Sequence, residues 1–284
     1  MPITYTPLRF PGGKSKIYPL VESLVKENDL IGGTYAEAFC GGAGLAMKLL
    51  LKGCVSRVVL NDIDPAVYSI WNAIIHYPDE LCKFIANVPT TVEKWKEERE
   101  IYQHGKVASL ELGEAAFYLN RTNRSGILDG GLIGGLEQAG AYKMNARFNR
   151  ANLIDKVRAI SSRATAIELH CLDVHEFMTS IAACLPKKSL LYLDPPYVEK
   201  GPGLYHSSFN ESKHCQLASD VKDYKGNWMV TYDDDELVHR LYSPEINWCV
   251  DVEKISVGYS AATKRRSNEM LILSPSMVSS QFQK

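Results

Sequence analysis

Short apolar runs alternate with amphipathic stretches along most of the chain, and this alternation constrains the fold more than any other feature. Tyr35–Phe39, Arg57–Asn61, Ala166–Cys171, Ser189–Leu193, Trp228–Tyr232 and Glu269–Leu273 read as strands by length and by β-branched and apolar content. Ser15–Lys26, Ala43–Lys52, Pro65–His76, Val174–Cys184, Glu211–Tyr224 and Asp234–Tyr242 read as helices. Strand, helix and strand in succession make a βαβ unit. Several units in series make a mostly parallel sheet with both faces covered, so the expected class is α/β. A chain of 284 residues, 45% hydrophobic and 23% charged, can bury such a core without metal or disulfides, and its composition excludes intrinsic disorder.

The alternation breaks once. From about residue 77 to 164 the helix-like segments follow one another without an intervening strand, and residues 125–140 carry Gly126, Gly130, Gly131, Gly134, Gly135 and Gly140. Glycine weakens helices and strands alike, so that stretch is expected to form loops or tight turns. Residues 77–164 therefore read as a mostly helical lobe inserted into an α/β domain made of residues 1–76 and 165–284.

Charge and cysteine usage narrow the function classes. Lys and Arg number 32 and Asp and Glu 33, a net charge of −1, so a polybasic binder is excluded and any nucleic-acid site must come from local clusters. The seven cysteines are widely spaced with no C-x-x-C pair, against a zinc ribbon or a disulfide framework and in keeping with reduced thiols in a cytoplasm. No apolar run is long enough to span a membrane, and Met1 to Phe10 holds no apolar signal core, so export is not expected.

The chemistry concentrates after the strand Ser189–Leu193, which runs into Asp194-Pro195-Pro196-Tyr197. Two prolines stop the strand, remove two donors and hold Asp194 extended. The expected result is a rigid edge at the carboxyl end of a central strand, where open α/β sheets bind ligands, carrying a carboxylate, exposed proline carbonyls and an aromatic ring. An exocyclic amino group on a base is a poor nucleophile because its lone pair is delocalised into the ring. Two acceptors that take its N–H bonds pyramidalise it and aim the lone pair at an electrophile. Asp194 and the Pro195 carbonyl are the candidate acceptors, and Tyr197 the candidate stacking ring.

A second constellation suits an adenosine-containing cofactor. The strand ending in Glu37 and Phe39 leads into Cys40-Gly41-Gly42-Ala43-Gly44 and a helix, a turn that lets a ligand approach the backbone. Asp62, closing the next strand, is placed to accept from both ribose hydroxyls. A nicotinamide cofactor is disfavoured because Met47 stands where its fingerprint needs a small residue. Upstream, Arg9-Phe10-Pro11-Gly12-Gly13-Lys14-Ser15 is not a P-loop, since Leu8 stands at the required glycine. Lys14 reads either as the holder of a ligand carboxylate at a helix start or as a solvated surface lysine. Asp173 reads equally as an acceptor for an adenine amino group and as a helix N-cap.

As an ordered set, Phe-Pro-Gly-Gly-Lys, Glu-Ala-Phe-Cys-Gly-Gly, Asn-Asp-Ile-Asp, Asn-Arg-Thr and Asp-Pro-Pro-Tyr resembles the Dam-type, D12-class adenine-N6 DNA methyltransferases of the alpha group, over nearly the whole chain. The resemblance extends to Thr231-Tyr232-Asp233-Asp234 and to Arg266 and Glu269-Met270-Leu271-Ile272. It implies a seven-stranded, Rossmann-like class I methyltransferase sheet, S-adenosylmethionine as donor, and a target-recognition lobe ahead of the catalytic motif, which agrees with the insertion. It places Phe10, Lys14, Asp62 and Asp194 along the cofactor or active site; Phe10 departs from the Trp common in relatives. Glu37, Phe39, Gly41, Gly42 and Asp173 complete the candidate cofactor contacts. The partner implied is double-stranded DNA with its adenine flipped out, in a bacterial or phage-encoded cytoplasmic enzyme, acting as a monomer and open to pairing with a restriction endonuclease. Cytosine N4 or an RNA base is the alternative acceptor, and the aspartate of the motif leans to adenine.

Local cationic clusters are the candidate DNA contacts. Asn120, Arg121 and Arg124 surround the Asn-Arg-Thr turn. Lys143 and Arg147 interleave with Tyr142 and Phe148, Lys264-Arg265-Arg266 is expected in a polar loop, and Arg9 flanks the cofactor turn.

Overall fold

The computed structural model describes residues 4–10, 12–198, 209–242, 251–259 and 265–280. Its sheet contains β1 (Thr34–Glu37), β2 (Arg57–Asn61), β3 (Ile167–His170), β4 (Ser189–Leu193), β5 (Asn227–Asp233), β6 (Asp251–Tyr259) and β7 (Arg265–Leu273), in the order β3-β2-β1-β4-β5-β7-β6. The first five are parallel, with Thr34 opposite Arg57 on one side and Ser189 on the other. β7 returns antiparallel beside β5, and β6 antiparallel beside β7.

The two-residue side-chain period of the strands divides the core into two layers. Tyr35, Val58, Leu60, Leu190, Tyr192, Met229, Leu271 and Leu273 face one layer. Ala36, Val59, Leu191, Leu193, Val230, Tyr232, Met270 and Ile272 face the other. The first is covered by α1 (Tyr18–Glu27), α2 (Gly44–Leu51) and α3 (Pro65–His76), the second by α8 (Val174–Glu176), α9 (Glu211–Asp223) and α10 (Glu236–Leu241). A strand apolar on both faces is what a doubly covered parallel sheet demands, and β1 and β4 are buried at every position. Helix starts follow local chemistry: Asp64 caps α3 by accepting from the Ala66 N–H at 2.8 Å, with Pro65 in the first turn. The expected helix 174–184 is wound unevenly, with a π turn at Phe177–Ile181 and a 3₁₀ turn at Ala182–Cys184 after α8.

The insertion holds α4 (Pro78–Asn87), α5 (Val92–His104), α6 (Leu110–Thr122) and α7 (Arg150–Ser161). It has no separate core. Ile85, Phe117, Leu153 and Ile160 belong to the same apolar cluster as Trp71, Ile74 and the strand residues Tyr35 and Leu190. Between α6 and α7 the glycine-rich stretch forms turns, with one short bridge between Asn123 and Leu132.

Three expectations change. The first strand ends at Glu37, because Ala38 and Cys40 turn to bond the carbonyls of Tyr192 and Asn61 at the strand ends. β6 lies where no strand was read: its apolar alternation slips at Lys254-Ile255 and charges interrupt it. β7 begins at Arg265, so Arg265 and Arg266 lie on a strand and not in a loop; Lys264 falls outside the described residues.

The turn after α6 hangs on one fully buried side chain. Asn123 accepts from Trp95 Nε1 at 2.7 Å and donates to the carbonyls of Ile127 and Leu128 at 3.0 and 2.8 Å. Asn123→Ala strands a buried indole N–H and the Leu128 carbonyl, each costing about 1–3 kcal/mol when left unpaired, while the Ile127 carbonyl keeps its bond from the Gly130 N–H. The expected outcome in urea denaturation is a lower midpoint with the slope unchanged.

Candidate active site

The order of strands reverses between β1 and β4, so the connections leaving their carboxyl ends diverge and open a crevice there. β4 delivers Asp194 to that crevice, β5 delivers Thr231, and β7 brings in Glu269 opposite Asp233. The fourth wall is the segment preceding α1, whose 3₁₀ turn Lys14–Ile17 places Lys14 against the end of β4.

Lys14 is not a surface lysine. Its side chain is 4% exposed, and its ammonium donates to both oxygens of Asp194, at 2.8 and 2.9 Å, and to Tyr197 Oη at 2.7 Å. Tyr197 Oη in turn donates to Glu269 Oε1 at 2.6 Å. Thr231 Oγ1 donates to Asp194 Oδ1 at 2.8 Å and shares a 2.7 Å hydrogen bond with Tyr192. A carboxylate oxygen has two lone-pair sites. Oδ1 of Asp194 is therefore filled by Lys14 and Thr231, whereas Oδ2, bonded to Lys14, has room for one more donor. The Asp194 side chain is 21% exposed and Tyr197 is half-buried; Pro195 and Pro196, read from sequence as an exposed edge, are buried.

On the β1 side, the Phe10 ring lies against the Gly41-Gly42 backbone, where a Cβ would stand 3.3 and 3.2 Å from ring carbons. The turn is held from behind: Trp71 Nε1 donates to the Gly41 carbonyl at 2.8 Å, and Asp62 accepts from the N–H groups of Gly41 (2.9 Å) and Asp64 (3.1 Å). Buried Asn61 ties the strand ends together, donating to the carbonyls of Ala38 and Leu172 at 3.0 and 3.1 Å. Burial lifts the Asp62 carboxyl to about 6, against the pull of those two N–H groups. Burial lifts Glu37, at the end of β1, to about 8, and the Asp194 charge adds to this. Burial also raises Glu269, with Lys14 and the Tyr197 hydroxyl opposing it. Phe39 stacks edge-on against Phe209 at 5.8 Å. Asp173 acts as the N-cap, accepting from the His175 N–H at 2.9 Å. Among the described residues no group of His, Cys, Asp and Glu side chains is placed to hold a metal ion.

The candidate DNA residues separate into two kinds. Asn120 is fully buried and is a clamp: it accepts from the Arg9 N–H at 2.9 Å and donates to the carbonyls of Arg9 (2.7 Å) and Gly126 (2.9 Å). It is not a surface reader. Arg121 is half-buried and donates to the carbonyls of Pro7 and Arg147, and Lys143 donates to the Gln138 carbonyl. Arg124 and Arg147 expose their side chains. Burial lowers the Arg121 guanidinium to about 9, helped by Arg9 and Arg147. Burial and Arg147 lower Arg9, and burial and Arg121 lower Lys156. These cations crowd one another, as at a site shaped for an anion. Lys156, Thr231, Asn61 and Glu269 were not singled out from sequence. Thr231 and Glu269 stood inside motifs without a role, and Lys156 had no local signal.

Fold and crevice together define an enzyme of the Rossmann-like methyltransferase class. The family model for D12 class N6 adenine-specific DNA methyltransferases matches residues 10–256, and the chain belongs to that family. Among solved structures it is similar to the rRNA methyltransferase AviRa from Streptomyces viridochromogenes (14% identity, TM-score 0.41, covering 94% of this chain and 86% of that one). It is also similar to a putative RNA methyltransferase from Pyrococcus horikoshii (12% identity, TM-score 0.41, covering 91% and 81%). No curated protein matches the chain.

The Glu37 carboxyl titrates at about 8 when folded, above its ordinary 4.5. Its contribution to stability is thus complete below the unfolded value and is lost as pH rises through about 8. From about pH 6.5 to about pH 9 the wild type should lose more thermal stability than Glu37→Gln, whose side chain does not ionise. Equal losses in melting scans would contradict this.

Proposed function

We propose that the chain transfers a methyl group from S-adenosylmethionine to N6 of an adenine flipped out of double-stranded DNA. The reading rests on Asp194: a part-exposed carboxylate at the switch point, with Oδ1 filled and Oδ2 able to take one more donor. When bound, S-adenosylmethionine supplies an electrophilic methyl on a cationic sulfur. The crevice fits such a group, because Glu37, Asp62, Asp194 and Glu269 outnumber Lys14 there. Asp62 would hold the ribose with the lone pairs left by Gly41 and Asp64, and Phe10, Gly41, Gly42 and Phe39 would form the wall. Asp173, engaged as a cap, has a weaker claim on the adenine.

Asp194 Oδ2 and the Pro195 carbonyl accept from the adenine amino group, and Tyr197 stacks on the base. Flipping costs a few kcal/mol of unstacking, which stacking of about 1–3 kcal/mol per base helps to offset. Lys14 holds both oxygens of Asp194 in place, so the carboxylate serves the amino group as an aimed acceptor; no base need take a proton ahead of transfer, because methylation itself makes the nitrogen acidic. Residues 77–164 act as the target-recognition lobe, with Arg9, Arg124, Arg147 and Lys156 on phosphates or base edges. Among the described residues no helix is long and apolar enough to cross a membrane. A monomer in a bacterial or phage cytoplasm, with or without a companion endonuclease, completes the reading.

Mass spectrometry of nucleosides from plasmid methylated by the chain should find N6-methyladenine; N4-methylcytosine would favour the alternative acceptor. Asp194→Ala should lower turnover by at least about 10²–10³-fold, the usual cost of losing a preorganised hydrogen-bond partner at a reacting centre. Undiminished turnover would overturn the mechanism.

Arg124→Ala and Arg147→Ala should each weaken DNA binding and reduce the salt dependence of affinity by about one unit of slope. Cofactor affinity, read by calorimetry, should be unchanged.

A further inference from the structure

Glu269 is a carboxylate that the fold itself does not need. It lies on β7 with 0% exposure, where neighbouring positions are filled by Met270 and Leu271, and a buried carboxylate costs desolvation that an apolar residue of similar size avoids. Its Oε1 accepts from Tyr197 Oη at 2.6 Å. Its Oε2 stands 3.7 Å from the Lys14 ammonium and makes no hydrogen bond among the described residues. The Lys14 ammonium also sits 5.0 Å from the centre of the Tyr197 ring. The Tyr197 hydroxyl is thus held from two sides, as acceptor from Lys14 and as donor to Glu269. Holding the hydroxyl stops the ring swinging about χ1, and because a phenol hydroxyl bonds best in the plane of its ring, partners fixed on two sides of it also set the tilt about χ2, so the direction of the face is set before any base arrives.

We propose that Glu269 is a positioning residue: through Tyr197 and Lys14 it fixes the stacking face and the acceptor carboxylate in the geometry that the flipped base must meet. Glu269 touches neither base nor donor and acts through the Tyr197 hydroxyl. The inference rests on the reading of Asp194 and Tyr197 given above.

The test compares Glu269→Leu, Glu269→Gln, Tyr197→Phe and the double variant Tyr197→Phe/Glu269→Leu, with plasmid DNA as acceptor and labelled S-adenosylmethionine as donor. Glu269→Leu removes both charge and acceptor. It should lower kcat about 10–100-fold, the scale of a small misplacement at a reacting centre, with the donor's Kd and the melting temperature unchanged or the latter raised. Glu269→Gln keeps an acceptor for the hydroxyl and should recover most of that loss. Tyr197→Phe keeps the ring but loses the bonds to both Lys14 and Glu269, and should be at least as slow as Glu269→Leu. Because the Tyr197–Glu269 bond is common to both changes, the double variant should be no slower than the slower single variant. Full activity in Glu269→Leu, multiplicative effects in the double variant, or a kcat loss that tracks lost stability or donor affinity would each overturn the proposal. If Asp194→Ala is inactive while Glu269→Leu is fully active, this inference alone fails. If Asp194→Ala is active, the underlying reading fails with it.

Discussion

The contact between Lys14 and Asp194 is the constraint on which the site depends. Placing an ammonium and a carboxylate together away from water is expensive, and such pairs seldom stabilise a fold on balance. Here the pair fixes an acceptor at a chosen place. An ammonium spans both oxygens of the carboxylate and a threonine hydroxyl holds one of them. An aromatic amine needs that kind of neighbour, since its proton becomes acidic only after the nitrogen has gained a substituent. A strong base is unnecessary, and an aimed acceptor suffices. The same contact pins the segment before α1 across the mouth of the sheet, where little else in the strand ladder would hold it.

That short segment joins the parts of the molecule. Arg9 is clamped through its backbone to Asn120 on α6, and at Gly126 a Cβ would come within 2.1 Å of the Arg9 carbonyl. Phe10 lies on the Gly41-Gly42 turn, and Lys14 lies on the end of β4. The helical segment 77–164, the Gly41-Gly42 turn and the Asp194 carboxylate are thus registered against one another through a few consecutive residues. This explains why the insertion has no core of its own: it is packed as an outer layer on α3 and shares the apolar cluster beneath the sheet. Asn120 and Arg121 hold that layer to the segment.

Much of this was legible in the sequence, and the misses have physical causes. β2, β4 and α3 coincide with their sequence boundaries because each is bounded by its own chemistry: an acid closing β2, the prolines after β4, and Asp64-Pro65 opening α3. β6 escaped because an antiparallel strand near the sheet's edge need not be apolar on both faces, and its charged residues hide the period. Asp194 and Tyr197 could be named from sequence because proline restricts the chain around them. Glu269 and Thr231 could not be given roles, because their partners lie 72 and 37 residues away and only the ladders of β4 with β5 and β5 with β7 bring them together. Asn120 shows the opposite error. A polar residue beside arginines in a recognition motif looks like a reader, but amide groups are also the side chains best suited to satisfying two buried backbone groups at once.

The near-zero net charge conceals two opposed fields. In the crevice Asp194 and Glu269 lie against Lys14, with Glu37 and Asp62 at the neighbouring strand ends; even with Glu37 protonated near neutral pH, as its value of about 8 implies, carboxyl groups outnumber the ammonium. Across the clamp formed by Asn120, Arg9, Arg121 and Lys156 lie near one another and near Arg147, and burial together with these neighbouring charges lowers each of the first three. A cationic donor and a polyanionic acceptor have opposite electrostatic requirements, and one surface of uniform sign would repel one of them. On the proposed function, separating the two fields across the Arg9–Lys14 segment would let each ligand find its own complement while their reacting atoms meet at the boundary. The sum over the chain, −1, is what remains after two local excesses of opposite sign offset each other, which is why charge arithmetic on the whole sequence excluded polybasic binding yet could not show the local cationic cluster.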